Sequence, residues 1–167
     1  MSRRRTQKKK IWFYVDQAYQ SYLITIFTNR LIKHGKKSIS YKILYSTLQK
    51  IQRKTKRNSL ALLEHSTRKV IPNVHLKSRR IGGTTYQVPV EVNTHQGTVI
   101  AIQWILISAR SRQGVNMIDC LSLEILDILQ GKGRSIRKRE EVHRIAEANK
   151  AFARFRFLNL RLNMLKV

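Results

Sequence analysis

The sequence predicts a mainly α-helical fold. It is a six-helix single domain with one extended β-hairpin between the third and fourth helices, and with basic N- and C-terminal tails. Three observations predict it. Apolar residues recur at three- and four-residue spacing through most of the chain, which lines them up on helix faces. Around a glycine pair, over residues 74–92, the period changes to two. A length of 167 residues with 42% hydrophobic content supports one core, whereas two domains would each be marginal.

The first helix is expected over 17–33, where Tyr19, Tyr22, Leu23, Ile26, Phe27 and Leu31 share a face and Gly35 supplies the stop. The second runs over 37–54 on Ile43, Leu44, Thr47, Leu48 and Ile51, with Lys36, Lys37, Lys42 and Lys50 mostly off that stripe. Asn58-Ser59 can cap a third, which Pro72 closes by about Val70. Then Val74 and Leu76 alternate with His75 and Lys77, and Tyr86, Val88, Val90 and Val92 alternate with Gln87, Pro89 and Glu91. The segment Ser78-Arg79-Arg80-Ile81-Gly82-Gly83-Thr84 between them reads as a basic hairpin tip with a glycine turn. Pro89 keeps its strand at an edge. A lone hairpin is marginal, so this one must lean on the helices or on a partner. Residues 98–110 are apolar nearly all round and read as a buried fourth helix. Asn116 opens a fifth on Met117, Ile118, Leu121, Ile125 and Ile128, ended by Gly131. Ser135 is expected to cap a sixth, running through Val142, Ile145, Ala146 and Phe152. The chain therefore divides into a basic arm (1–15), a helical body (16–157) with its hairpin at 73–92, and a C-terminal extension (158–167).

Charge narrows the function. There are 34 Lys+Arg against 9 Asp+Glu, a formal net charge of +25. Such a chain repels itself when compact and calls for a polyanion. Nucleic acid fits best, with an anionic membrane surface as the plainer alternative. The charge is laid out in blocks. Residues 1–10 hold six basic residues and no acid, residues 17–63 hold ten and no acid, and residues 148–167 hold five and no acid. Cys120 stands alone, which excludes a disulfide framework and a paired-cysteine zinc site. The longest apolar run, Val99 to Ile107, is interrupted by Gln103 and falls far below the roughly 20 residues of a membrane span. Met1-Ser2-Arg3-Arg4-Arg5 precedes no leader-like apolar region and no transit-like segment, so synthesis in the compartment of use is expected.

Catalytic patterns are weak. The histidines, His34, His65, His75, His95 and His143, show no metal-ligand spacing with each other or with the cysteine. Glu140, His143 and Glu147 would share a helix face, but pairing with neighbouring arginines, such as Glu140 with Arg144, is the simpler reading. Gly131-Lys132-Gly133 lacks the spacing of a phosphate loop and follows a helix where a strand should stand. No enzyme, metal site or cofactor is expected.

Nucleic-acid chemistry is better supported. The arm offers Arg3, Arg4, Arg5, Lys8, Lys9 and Lys10. Lys36 and Lys37 follow Gly35, and Lys77, Arg79 and Arg80 stand at the hairpin. Arginine forks grip phosphate with two donors, and glycine lets backbone approach closely. Tyr86, Phe152, Phe155 and Phe157 are candidate stacking faces for unpaired bases, with ordinary packing as the alternative. These features also fit an architectural DNA-binding protein that uses the basic hairpin in a groove.

Four ordered blocks carry a resemblance. They are Gly35-Lys36-Lys37-Ser38, the stretch from Lys77 to Val92, Ala101-Ile102-Gln103-Trp104, and the stretch from Lys138 to Ala153. Together they resemble the bacterial-type small-subunit ribosomal protein seven family, although an arginine is usual where Gln103 stands. The segment Asn29 to Ser38, Gln52-Arg53-Lys54-Thr55 and the Thr94-His95-Gln96-Gly97 loop are more similar to the plastid (chloroplast) branch than to bacterial members. Bacterial members carry basic residues in the loop here held by Asn93 to Gly97, and residues 158–167 run past the usual family end. The resemblance implies direct binding to the 3′ major domain of small-subunit rRNA, nucleation of head assembly, and neighbouring head proteins as partners. It implies a plastid stromal ribosome, with bacterial-type cytoplasm as second choice, no membrane, and structural Mg²⁺ only through the rRNA. To the rRNA-binding set named above it adds Arg110, Arg112, Arg137, Lys138, Arg139 and His143. It also places Arg79, Arg80, Gly82, Gly83, Lys150 and Arg154 near exit-site tRNA and mRNA.

Overall fold

The computed structural model describes residues 15–113 and 116–157. Within them run α1 (Tyr22–Leu31), α2 (Lys37–Thr55), α3 (Ser59–Val70), β1 (Val74–Ile81), β2 (Thr84–Glu91), α4 (Thr94–Arg110), α5 (Met117–Leu129) and α6 (Arg134–Ala148). A 3₁₀ helix, Lys150–Phe157, follows α6. The mainly helical class and the hairpin between α3 and α4 agree with expectation.

The apolar helix α5 lies at the centre and touches α2, α3, α4 and α6. Its Cys120, Leu121, Ile125 and Ile128 meet Leu44, Leu48 and Ile51 of α2, Leu63 of α3 and Ala101, Ile102 and Ile105 of α4 in one core. Ile24 and Phe27 of α1 close the same cluster. Two threonines inside it bond back to their own helices. The Thr47 hydroxyl donates to the Ile43 carbonyl at 2.8 Å, and that of Thr28 to Ile24 at 2.9 Å. Back-bonding of this kind is how a threonine can stand in an apolar stripe without an orphaned hydroxyl.

Element boundaries differ from expectation for identifiable reasons. The start of α1 is delayed to Tyr22, because Asp16 accepts the Tyr19 N–H at 3.0 Å and bends the preceding residues into a turn. Gln20 sits there at φ 48, outside any helix. At its far end His34 (φ 52) and Gly35 (φ 72) are both left-handed and reverse the chain into α2. The expected loop at Asn93 to Gly97 is instead the N-cap and first turn of α4. Gly97 is buried, and a Cβ there would stand 2.8 Å from Ile71 Cγ2, so glycine permits the close approach of α4 to the end of α3. Helix α4 is not buried all round; Gln103, Ile107 and Arg110 form an exposed stripe. Ser135 does not cap α6, which begins one residue earlier with Gly133 as N-cap, and Phe152 belongs to the 3₁₀ helix.

The hairpin is a two-stranded antiparallel ladder running from Val74↔Glu91 to Ile81↔Thr84. Its two-residue turn holds Gly82 at φ 57 and Gly83 at φ 90, the double positive φ that matches strand twist and favours glycine. It does lean on helices: α6 packs on β1 and the 3₁₀ helix on β2. No helix among the described residues is long and apolar enough to cross a membrane.

Candidate nucleic-acid interface

Four of the nine acids tie elements of the fold together. Asp16 accepts the Tyr45 hydroxyl at 2.5 Å and ties the start of the described chain to α2. Asp119 of α5 pairs with Lys50 of α2. Glu124 of α5 is wholly buried and accepts from Arg112 Nε at 3.1 Å and Nη2 at 2.6 Å. It also accepts the Ser135 N–H at 3.1 Å and the Ser135 hydroxyl at 2.6 Å. Glu124 therefore caps α6 from a different helix, a service the side-chain-free Gly133 cannot give. Asp127 takes a second bond from Arg112 Nη2 at 2.5 Å. Burial alone would lower the Arg112 pKa, but the bonds and charges of Glu124 and Asp127 outweigh it and hold the pKa above its ordinary value.

Arg112 thus engages Glu124 and Asp127 through its Nε and Nη2. Arg139 is likewise half-buried and donates to the Lys69 carbonyl. His143 Nε2 accepts the Asn73 N–H at 3.2 Å and fastens the hairpin base to α6. Among the described residues, no group of three His, Cys, Asp or Glu is disposed to hold a metal ion, Glu140 and His143 included.

Two zones of outward cations hold the residues named from the sequence, and a further exposed group stands at Arg53, Lys54, Lys56 and Arg57. In the first, the left-handed turn at His34-Gly35 presents Lys33, Lys36 and Lys37, all exposed. Arg110 at the end of α4 reaches the same place, with Nη2 3.5 Å from the Leu31 carbonyl. Arg134 at the start of α6 donates through Nη1 to the Ser111 hydroxyl at 3.0 Å, next in sequence to Arg110. Exposed Arg137 and Lys138 continue along α6. Lys138 bonds Glu141 at 2.8 Å, and this bond and the lysine's charge depress the Glu141 pKa. Cations from α1–α2, α4 and α6 thus form one surface. Sequence reasoning missed Lys33 and Arg134. Lys33 lay two residues before the recognised glycine, whereas nothing local marked Arg134.

The second zone is the hairpin with the 3₁₀ helix. Arg79 lies opposite Tyr86, and Arg80 opposite Thr85. Adjacent strand residues face opposite sides, so the two arginines do not form one patch. Arg79 is half-buried, and its Nη1 has no partner among the described residues. Arg80 is exposed, with Nε 3.3 Å from the Gly83 carbonyl. Tyr86 packs on Phe152 and Phe155, with ring centroids 4.9 and 6.3 Å away, so packing already engages these three rings. The Arg154 guanidinium sits 5.0 Å from the Phe155 ring centre. These contacts bring exposed Lys150 and Arg154 beneath the same hairpin as Lys77, Gly82 and Gly83. The arm residues Arg3, Arg4, Arg5, Lys8, Lys9 and Lys10, the Phe157 side chain and the extension 158–167 lie outside the described residues.

A family model described as Ribosomal protein S7p/S5e matches residues 1–150, spanning the turn, the hairpin and α6. The chain belongs to this family. It is 50% identical over 157 residues to small ribosomal subunit protein uS7c of Tupiella akineta, a plastid-type protein, across 94% of this chain and 100% of the relative. Membership places the chain among non-enzymatic structural proteins of the ribosome and agrees with the resemblance read from the four blocks. The first three blocks lie inside the matched span, and the fourth, Lys138 to Ala153, starts inside it and runs past its end at residue 150.

Proposed function

We propose that this chain is a structural protein of the plastid small ribosomal subunit that binds the 3′ major domain of the small-subunit rRNA directly. It nucleates folding of the head, beside neighbouring head proteins. Its hairpin and the end of α6 face exit-site tRNA and mRNA, and Mg²⁺ enters only through the RNA.

One observation carries the reading. The contacts of Arg110 with Leu31 and of Arg134 with Ser111 join three separate helical elements into one cationic surface, while Asp119, Glu124 and Asp127 are paired within the fold. Folded RNA presents phosphates from several strands at once, and a rigid multi-element surface suits it better than one basic helix. The direct phosphate contacts are then Lys33, Lys36, Lys37, Arg110, Arg134, Arg137 and Lys138, joined by Lys77, Arg79 and Arg80 and by the six cations of the arm. Arg112, Arg139 and His143 act by holding those elements in place.

Competition binding tests it. The full chain is given a labelled rRNA 3′ major-domain transcript against unlabelled duplex DNA and against an unrelated rRNA domain. The expected result is at least about a hundredfold preference for the 3′ major domain at physiological salt. Equal affinity for duplex DNA would overturn the reading and favour an architectural DNA binder.

A further inference from the structure

Between the α1–α2 turn and the ends of α4 and α5 lies a concavity of about 270 Å³. Its floor is apolar, made by Ile39 and Ile43 of α2 and Met117 of α5. Its rim carries Lys33, His34, Lys36 and Arg110. Ile39 is 50% exposed here, among the exposed cations Lys33, Lys36 and Arg110. Lysines alone at this place would suit a phosphate backbone passing over the surface. A sunken apolar floor inside a ring of cations suits something else, a ligand with an apolar flat body and an anionic handle.

The geometry points to one unstacked rRNA nucleotide seated in this concavity, its base on Ile39, Ile43 and Met117 and its phosphates on Lys33, Lys36 and Arg110. This rests on the rRNA reading above and sharpens it, since a base contact can confer sequence or shape preference where phosphate contacts only position. Size agrees. The volume is at the small end of ligand pockets, enough for one ring system and too small for a helix or a folded peptide. Charge agrees too, because no acid lines the concavity. Methionine is polarizable and adapts to a flat partner, and single-stranded positions of folded RNA are where bases are free to splay out.

Ile39→Ser tests it without touching a charge. Ile39 is half exposed, so the fold should survive, and thermal melting checks that it does. Wild type and variant are titrated with the 3′ major-domain transcript over a salt series, and both complexes are probed with base-directed modifying reagents. The expected result is an affinity about fivefold or more weaker with an unchanged salt slope. One nucleotide protected in the wild-type complex should become reactive in the variant complex, while the surrounding backbone footprint stays. A variant that binds and protects like wild type would overturn the proposal and leave rRNA binding itself intact. So would normal rRNA binding coupled with failed incorporation beside other head proteins, which would assign the concavity to a protein neighbour. Loss of the wild-type preference for rRNA over duplex DNA would instead strike the functional reading beneath it.

Discussion

Glu124 is a polar residue whose removal should cost the fold several kcal/mol. Its carboxylate is fully buried and accepts four hydrogen bonds, two from Arg112 and two from Ser135. Truncation of one partner of a buried ion pair costs about 3–5 kcal/mol. The low end applies to Glu124→Ala, because Asp127 still holds Arg112. The Ser135 amide would then be buried without an acceptor, which adds about 1 kcal/mol. The sum is about 4 kcal/mol, a large part of the roughly 5–15 kcal/mol that keeps a domain folded. Glu124→Gln keeps the shape and an acceptor for Ser135 but loses the charge opposite Arg112, so about 2 kcal/mol is expected. Urea unfolding followed by far-ultraviolet circular dichroism measures both, and the midpoint should fall at unchanged slope. RNA affinity at a stability-matched temperature should fall as well, since Arg134 and Arg137 lie within the turn that Glu124 caps. A Glu124→Gln protein within about 0.5 kcal/mol of wild type would refute the reasoning.

Other outcomes follow from the same contacts. A Cβ on Gly133 would stand 2.7 Å from Ile128 Cγ1 and 3.2 Å from Glu124 Oε1, so Gly133→Ala should cost about 1–3 kcal/mol in urea unfolding. The Tyr45 phenol has its pKa pushed up, first by burial and then by its bond to Asp16 and that residue's charge. The folded chain thus holds this proton more tightly than the unfolded chain. The corresponding stability is complete below about pH 10 and is lost as pH rises towards the folded-state value. Tyr45→Phe should cost about 1 kcal/mol at pH 7, and its deficit against wild type should shrink as pH rises above about 10 in parallel unfolding curves. Tyr86→Ala removes the ring that meets Phe152 and Phe155, so trypsin should cut at Arg79 and Arg80 about tenfold faster with little change in melting temperature; unchanged cleavage would mean the hairpin is held elsewhere.

Local chemistry made much of this fold legible. Asn58 does cap α3, accepting the Leu60 N–H at 3.0 Å, and the Gly82-Gly83 turn closes the hairpin in the two-residue form that glycine pairs favour. The α2 stripe, threonine included, is the face that is buried. What local sequence did not show depended on partners distant in the chain. Ser135 looked like a cap, because serine caps helices; here Glu124, eleven residues earlier, supplies the acceptor. Arg112 looked like any cation in a basic chain until α5 placed Glu124 and Asp127 around it. Arg134 joins the candidate surface only through Ser111 on a different element. The separation of Arg79 from Arg80 is different in kind. Period two alone implies it, and strand alternation was applied to the apolar residues but not to the charged tip.

The central claim is that cations from the α1–α2 turn, the end of α4 and the start of α6 act together on rRNA phosphates. The most direct measurement is the salt dependence of binding to the 3′ major-domain transcript for wild type and for a Lys36→Ala, Arg110→Ala, Arg137→Ala triple variant. Each lost phosphate contact should lower the slope of log affinity against log salt by about 0.7–0.9, so a reduction of about 2–3 is predicted, with melting unchanged. A triple variant with the wild-type slope and affinity would contradict the account.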